Sequence, residues 1–299
     1  MKYHEPVLLQ ECINALDIKP NGIYADATYG GGGHTKEILK HLKNGRVIGF
    51  DQDADAVANA IADERFTLVQ DNFSNMFDHL QKLNALPLDG LLADLGISSH
   101  QIDEASRGFS TRFDAPLDMR MNQHQSTTAA DIINSYSEKE LQHIFSMYGE
   151  IRNAKTLAAA IVKNRNKKAI HTINELKYAM EGCVMKANEY QYYAQVFQAL
   201  RIEVNDELGA LRELLKQCPQ LIKQGGRLVV ISYHSLEDRL VKNFIASGNV
   251  EGEIKKDFYG RTIDVSFKAI NKKPITPSEE ELKRNMRSRS AKLRVAERV

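Results

Sequence analysis

The chain has no tryptophan, and of its 299 residues only 3 are cysteine and 7 proline. Cys12, Cys183 and Cys218 are odd in number and far apart, which excludes a disulfide framework and any Cys-x-x-Cys metal pair; buried thiols in a reducing compartment are expected. No apolar run approaches the ~20 residues of a membrane span. The opening MKYHEPVLLQEC lacks the apolar core of a signal peptide. The expectation is a cytoplasmic chain with no membrane partner. There is no Gly-Lys dipeptide, which excludes a phosphate-binding P-loop. Neither His-Glu-x-x-His nor a Cys/His cluster occurs, so no metal is expected. No internal repeat or low-complexity tract is visible.

Charge of either sign is not scarce overall, but it is segregated. Segment 152–168 holds Arg152, Lys155, Lys163, Arg165, Lys167 and Lys168 with no acid, and 283–299 holds seven basic residues against Glu297 alone. A net charge of +1 therefore conceals a strongly acidic remainder. Two basic patches suggest a polyanion partner; two solvated helix faces account for the same charges.

Four strand-like runs each end in an aspartate: GIYAD at Asp26, RVIGFD at Asp51, FTLVQD at Asp71 and DGLLAD at Asp94. Short apolar runs alternating with helix-like segments at 34–43 and 54–63 indicate a doubly wound α/β sheet. Ligands in such sheets sit at the carboxyl ends of the strands. Gly30, Gly31, Gly32 and Gly33 follow the first run, and glycine permits close backbone approach to a ligand. A dinucleotide fingerprint would need Gly-x-Gly-x-x-Gly, and the third glycine is replaced by Thr35 or Lys36. Asp26 would repel a pyrophosphate but favour a sulfonium. Asp51 is placed for ribose hydroxyls, and Phe73 for adenine. Together these features favour S-adenosylmethionine over a nicotinamide cofactor, although strand-end Asp also caps helices and a lone Phe is commonly core.

The pattern changes after about residue 100. Segment 100–125 is polar and reads as a long loop, and 126–215 reads as helical. Leu141, Ile144, Phe145 and Tyr148 follow helical spacing behind Ser137-x-x-Glu140, a capping box; Thr172-x-x-Glu175 opens another helix, and Tyr193, Val196, Phe197, Leu200 and Val204 line a third. These stripes are read as core. Strand character returns at 225–232 and near 261–270, and 271–281 reads as a connector into the basic tail.

Longer strings carry a resemblance: HEPVLL at 4–9, GGGGHT at 30–35, DLGISSHQID at 94–103, RGFSTRFDAPLDMRM at 107–121, SYHSLEDR at 232–239 and RSAKLRVAER at 289–298. Nearly end to end, the chain resembles the bacterial small-subunit ribosomal RNA methyltransferase H family, which methylates the exocyclic N4 of a cytidine in 16S ribosomal RNA. It departs in having Ala115 where Gly is usual, Tyr233 where Phe is usual and Met286 where Pro is usual. The resemblance implies a class I S-adenosylmethionine-dependent methyltransferase fold, a Rossmann-like doubly wound sheet, with an inserted helical domain. The expected division is 1–104 with 216–299 as the methyltransferase domain and 105–215 as the inserted loop and helical substrate-recognition domain.

Carried onto this chain, the family's cofactor contacts are Gly32, Gly33, His34, Asp51, Phe73, Asp94 and Gln101, and the partner is 16S ribosomal RNA or the small ribosomal subunit. Asp94, in an Asp94-Leu95-Gly96-Ile97 loop that lacks the Pro-Pro-aromatic platform of many amino methyltransferases, is the catalytic candidate. Phe109 and Tyr233 are candidate base platforms. Asp118 and Arg120 are substrate candidates or a loop anchor, and His234 is a proton acceptor or a structural residue. Competing readings are a methyltransferase on another acceptor, a non-catalytic RNA-binding assembly factor and, less favoured, a nicotinamide oxidoreductase.

Overall fold

A computed structural model describes residues 6–184, 186–260 and 263–299. His4 and Glu5 of the HEPVLL string lie outside them, as do the first two positions of the strand expected near 261–270. In chain order the elements are α1 (Leu9–Leu16), β1 (Ile23–Asp26), α2 (Gly33–His41), β2 (Arg46–Phe50), α3 (Ala54–Val57), β3 (Phe66–Val69), α4 (Met76–Lys82) and β4 (Leu88–Asp94). Then come α5 (Ser99–Asp103), α6 (Ala129–Ser135), α7 (Glu138–Met147), α8 (Ala154–Arg165), α9 (Ile173–Met180), α10 (Glu189–Asn205) and α11 (Glu207–Leu221). The chain closes with β5 (Ile222–Ser232), α12 (Ser235–Ser247), β6 (Phe267–Ala269), α13 (Glu279–Arg284) and β7 (Lys292–Arg298). No helix among the described residues is long and apolar enough to cross a membrane.

The chain divides into two compact units, Met1–Gly96 with Leu208–Val299, and Ile97–Glu207. The junctions fall earlier in the chain than the expected 104/105 and 215/216, because most of α11 packs under the sheet: Leu211, Leu214, Leu215 and Leu221 join its core.

In the first unit, seven strands form one sheet in the order β3-β2-β1-β4-β5-β7-β6. The β-branched and leucine-rich runs of β1, β2 and β4 are buried on both faces, as parallel strands covered by helices must be. β1 pairs in parallel with β2 and β4, and β4 with β5; β7 is antiparallel to both of its neighbours. Strand order reverses between β1 and β4, so Asp26 and Asp94 end adjacent strands at the switch point where such sheets bind ligands. The helix expected over 54–63 is confined to Ala54–Val57. A helix not foreseen, α1, buries Cys12, Ile13 and Leu16.

The basic tail is a correction. Its last residues are a strand, with Leu293 and Val295 buried and Arg294 fully engaged: Nε and Nη2 donate to Asp238 Oδ1 and Oδ2 at 2.6 and 3.1 Å. Arg298 donates to Ser266 O at 3.0 Å and lies over the Phe267 ring. Of the seven basic residues read as a polyanion patch, three (Lys292, Arg294 and Arg298) lie in β7, and Arg294 and Arg298 help hold it in the sheet.

The second unit has its own core. The two helical stripes are buried as spaced, apart from Tyr148, which caps α7 half-buried. Ser137 with Glu140 and Thr172 with Glu175 form both halves of their capping boxes. Segment 100–125 contains α5 and a 3₁₀ turn, Ala105–Arg107, but is otherwise irregular while burying Leu117, Met119 and Met121. Its backbone is satisfied by side chains: Asn205 Nδ2 donates to Met119 O at 2.8 Å and Met121 N donates to Asn205 Oδ1 at 2.7 Å. Buried irregular backbone requires such partners.

Candidate functional site

At the carboxyl edge of the first unit's sheet, the four strand-end aspartates do different things. Asp26 is 1% exposed and braces the glycine loop from beneath. It accepts from Thr28 N at 3.2 Å and Thr35 Oγ1 at 2.7 Å. Burial pushes its pKa up. Asp71 is consumed locally by Asn72 N, Asn75 and His79. The acids left facing the crevice are Asp51 and Asp94, fewer than the four read from the sequence.

Asp51 binds the loop itself. Gly30 N donates to Oδ2 at 2.8 Å and Asp53 N to Oδ1 at 2.9 Å. A carboxylate oxygen has two lone pairs, so each retains one for a further donor. Burial lifts the Asp51 pKa to about 6 against those two hydrogen bonds. Gly30 and Gly32 adopt φ of +51° and +70°, where side chains are disfavoured. A Cβ on Gly32 would lie 2.6 Å from the Tyr29 hydroxyl, and one on Gly33 would lie 2.2 Å from Pro6 Cγ. These glycines are therefore demanded by packing as well as by any ligand. Gly32 is the N-cap of α2, so the helix's free amides open at the loop.

Asp94 is the centre of the arrangement. Its backbone N donates to Thr28 Oγ1 at 2.7 Å, which locks the end of β4 to the segment after β1. Tyr233 Oη donates to Asp94 Oδ1 at 2.7 Å. His34 Nδ1 stands 4.0 Å from Oδ2. His34 is buried, and its Nε2 lies 3.1 Å from Val7 O. A carbonyl can only accept, so Nε2 is the donor to Val7 and Nδ1 is the ring nitrogen left nearest Asp94. Burial raises the Asp94 pKa to about 6, moderated by His34 and by the Tyr233 hydrogen bond. The Tyr233 phenol, buried beside that carboxylate, is held far above its ordinary pKa and stays a donor. Tyr233, a candidate base platform, anchors the acid through its hydroxyl.

His234 is the N-cap of α12 and, with Glu237, closes a capping box. Glu237 Oε2 accepts from Tyr233 N at 2.8 Å. His234 Nε2, 3.2 Å from Glu237 Oε1, is buried without a hydrogen-bond partner among the described residues. Phe73 opens a 3₁₀ turn after β3 and is half-buried against the sheet core.

The remaining candidates belong to the second unit. Gln101 is buried, with Oε1 accepting from Ser98 N in a capping box. Phe109 packs in the apolar core, which removes its faces from stacking. Arg120 grips Asp118 through Nε and Nη2 at 2.8 and 2.7 Å and donates to the carbonyls of Gln123 and Gln125, so this pair anchors its own loop. Thr28 went unremarked in the sequence, and Thr35 was noted only where a third glycine is missing; nothing in their spacing distinguishes them from other polar residues. No metal-binding cluster occurs among the described residues.

A seven-stranded sheet of this order, reversing between β1 and β4 with its last strand inserted antiparallel, and a glycine loop above β1 define a class I methyltransferase fold. The chain belongs to the MraW methylase family, which it matches over residues 1–299. It is 57% identical over 298 residues to ribosomal RNA small subunit methyltransferase H of Cytophaga hutchinsonii, spanning 99% of each chain. It is 52% identical over 299 residues to the protein of the same name from Parabacteroides distasonis, spanning 99% of this chain and 98% of that one.

Proposed function

We propose that the chain transfers a methyl group from S-adenosylmethionine to the exocyclic N4 of a cytidine in 16S ribosomal RNA of the small subunit. The observation that carries this reading is the Asp94 carboxylate: at the switch point, fixed by Tyr233 and Thr28, with its other oxygen 4.0 Å from His34 Nδ1.

The residues suit S-adenosylmethionine. Asp51 keeps lone pairs for a ribose diol. The α2 N-terminus suits a carboxylate, and Gly32, Gly33 and His34 form that turn. Asp94 supplies negative charge for a sulfonium, and Phe73 completes the proposed contacts. When bound, the cofactor supplies an electrophilic methyl. The cytosine amine is a poor nucleophile because its lone pair is delocalised into the ring. Asp94 accepts a hydrogen bond from that amine and holds it in line, at ~3–3.5 Å from the methyl. Methyl transfer would leave sulfur with the electron pair of the broken S–C bond and the amine with one proton to shed. Asp94, with its pKa lifted to about 6, takes that proton and passes it to water. Tyr233 keeps the carboxylate in its orientation throughout. A cytidine presents its edge to such a site only when unstacked, at a cost of a few kcal/mol.

The names of the relatives support the ribosomal substrate. The test is methyl transfer from labelled S-adenosylmethionine to small subunits lacking the modification, followed by nucleoside analysis. Labelled N4-methylcytidine is expected; label on another atom or no transfer refutes the assignment.

A further inference from the structure

The two basic segments do not have the same fate. In 283–299 the strand β7 consumes charge. In 152–168, Arg165 Nη1 donates to Ile133 O at 2.5 Å and Lys168 pairs with Glu175 at 2.7 Å. The other four cations, Arg152, Lys155, Lys163 and Lys167, are exposed and have no ion pair or side-chain hydrogen bond among the described residues.

Their placement is regular. α8 buries Ala154, Leu157, Ala158 and Ile161. Lys155 and Lys163 lie eight residues apart on the opposite face, ~12 Å along the axis, and Lys167 continues the row one step beyond the helix end. Stability alone does not account for this. The first turn of α8 contains no acid, and its N-cap Asn153 makes no capping bond, so Arg152 and Lys155 sit at the positive end of the helix dipole. A helix shaped only by folding favours acids there.

The neighbouring helix carries exposed aromatic surface. α9 runs antiparallel along α8, tied by Asn153 Nδ2 to Cys183 O at 3.1 Å, Asn164 Nδ2 to Ala179 O at 3.3 Å and Lys168 to Glu175. Tyr178 and Lys163 are the residues immediately preceding the Ala179 and Asn164 of the middle tie. Tyr178 is 74% exposed and has no partner among the described residues. An unpaired lysine row on one helix and a bare ring on the helix packed along it supply backbone neutralisation and base stacking, the two elements of single-strand recognition.

We propose that the outer face of α8, with Tyr178, is a docking surface for single-stranded RNA. The proposal rests on the ribosomal RNA reading of the site and assigns the sequence-independent part of substrate binding to this face.

The test uses the full-length protein and a fluorescent, mixed-sequence single-stranded oligoribonucleotide, with Kd measured across a salt series. The triple variant Lys155→Gln, Lys163→Gln, Lys167→Gln removes three exposed charges, and unchanged S-adenosylmethionine binding checks its fold. The slope of log K against log salt is expected to shrink by about 2, at ~0.7 per phosphate on single strands. Tyr178→Ala is expected to weaken binding by about 5- to 150-fold, the span of one base–aromatic stack, while Tyr178→Phe retains it. An unchanged slope in the triple variant overturns the proposal. So does polyglutamate binding as tightly as RNA with Tyr178→Ala neutral, which points to an acidic protein partner. Wild-type protein that shows these RNA effects but does not methylate small subunits refutes the N4 assignment and leaves the docking surface standing.

Discussion

Tyr233 and Asp94 share a 2.7 Å hydrogen bond at the ends of two adjacent parallel strands, and the phenol is the donor. The bond stabilises the carboxylate over the carboxylic acid and so holds down a pKa that burial has already lifted to about 6. Removing the donor lets that pKa rise. For Tyr233→Phe we expect the acid limb of the pH–rate profile to move up by about one unit, the worth of one hydrogen bond to a charged group. Methylation at pH 6 should fall about fivefold and be nearly unchanged above pH 8. A parallel drop at all pH values would assign Tyr233 to packing instead.

Asp94 also stores instability. Its folded pKa of about 6 lies above the ordinary carboxyl value of 3.8, so the folded state disfavours ionisation. The penalty is present in full above pH 6 and disappears as pH falls below the unfolded value. Asp94→Asn keeps the acceptor for Tyr233 and loses the charge. Because the side chain is still 22% exposed, solvent screens part of the penalty, and we expect a gain of about 1 kcal/mol at pH 8. The gain should vanish near pH 4. Methylation should drop by about 10²-fold or more, as for loss of a positioned acid or base. Denaturant melts at the two pH values, with turnover at pH 8, check both halves.

The sheet was legible because apolar runs, strand-end acids and the glycine loop are local in sequence. The roles of those acids were not. Asp26 and Asp94 end equivalent strands, and only their partners, Thr35 for one and Tyr233 for the other, separate the brace from the proposed reactive group. β7 was hidden for a different reason: Leu293 and Val295 alternate as a strand should, but Lys292, Arg294 and Arg298 draw the eye to charge. In 100–125 nothing periodic exists, and the residue that organises it, Asn205, lies some 80 positions away on a helix whose apolar stripe it interrupts.

Arg294 separates structural from RNA-facing charge. It and Asp238 are 12% and 14% exposed, and the fork between them fastens β7 to α12. Among the described residues, Arg294→Ala leaves Asp238 with only Lys292 as a cation, at 3.8 Å. We expect a loss of about 2–3 kcal/mol, below the full cost of orphaning a deeply buried charge. The salt slope of RNA binding should not change. A slope reduced by about 0.7 would return this residue to the phosphate contacts.

Asn205 offers the sharpest test of how the irregular segment is held. The side chain is 7% exposed and spans a gap no apolar residue can fill: Oδ1 accepts from Met121 N, and Nδ2 donates to Met119 O and Arg201 O. Met119 itself is fully buried at φ +61°, a conformation that a non-glycine residue keeps only when its surroundings enforce it. Arg107 Nη2 supports the same stretch through the carbonyls of Arg120 and Met121, so Asn205→Ala should loosen it without abolishing it. The variant strands a buried N–H and a buried carbonyl, at about 1–3 kcal/mol each, and we expect 2–4 kcal/mol in all. Asn205→Asp should be no better, since a carboxylate keeps the acceptor for Met121 N but meets the Met119 carbonyl with a second acceptor. Hydrogen exchange reads the outcome by location: faster exchange at the Met121 amide, with protection of β1 and β4 unchanged. Equal loss of protection in both units would mean that Asn205 supports the whole chain and not this segment.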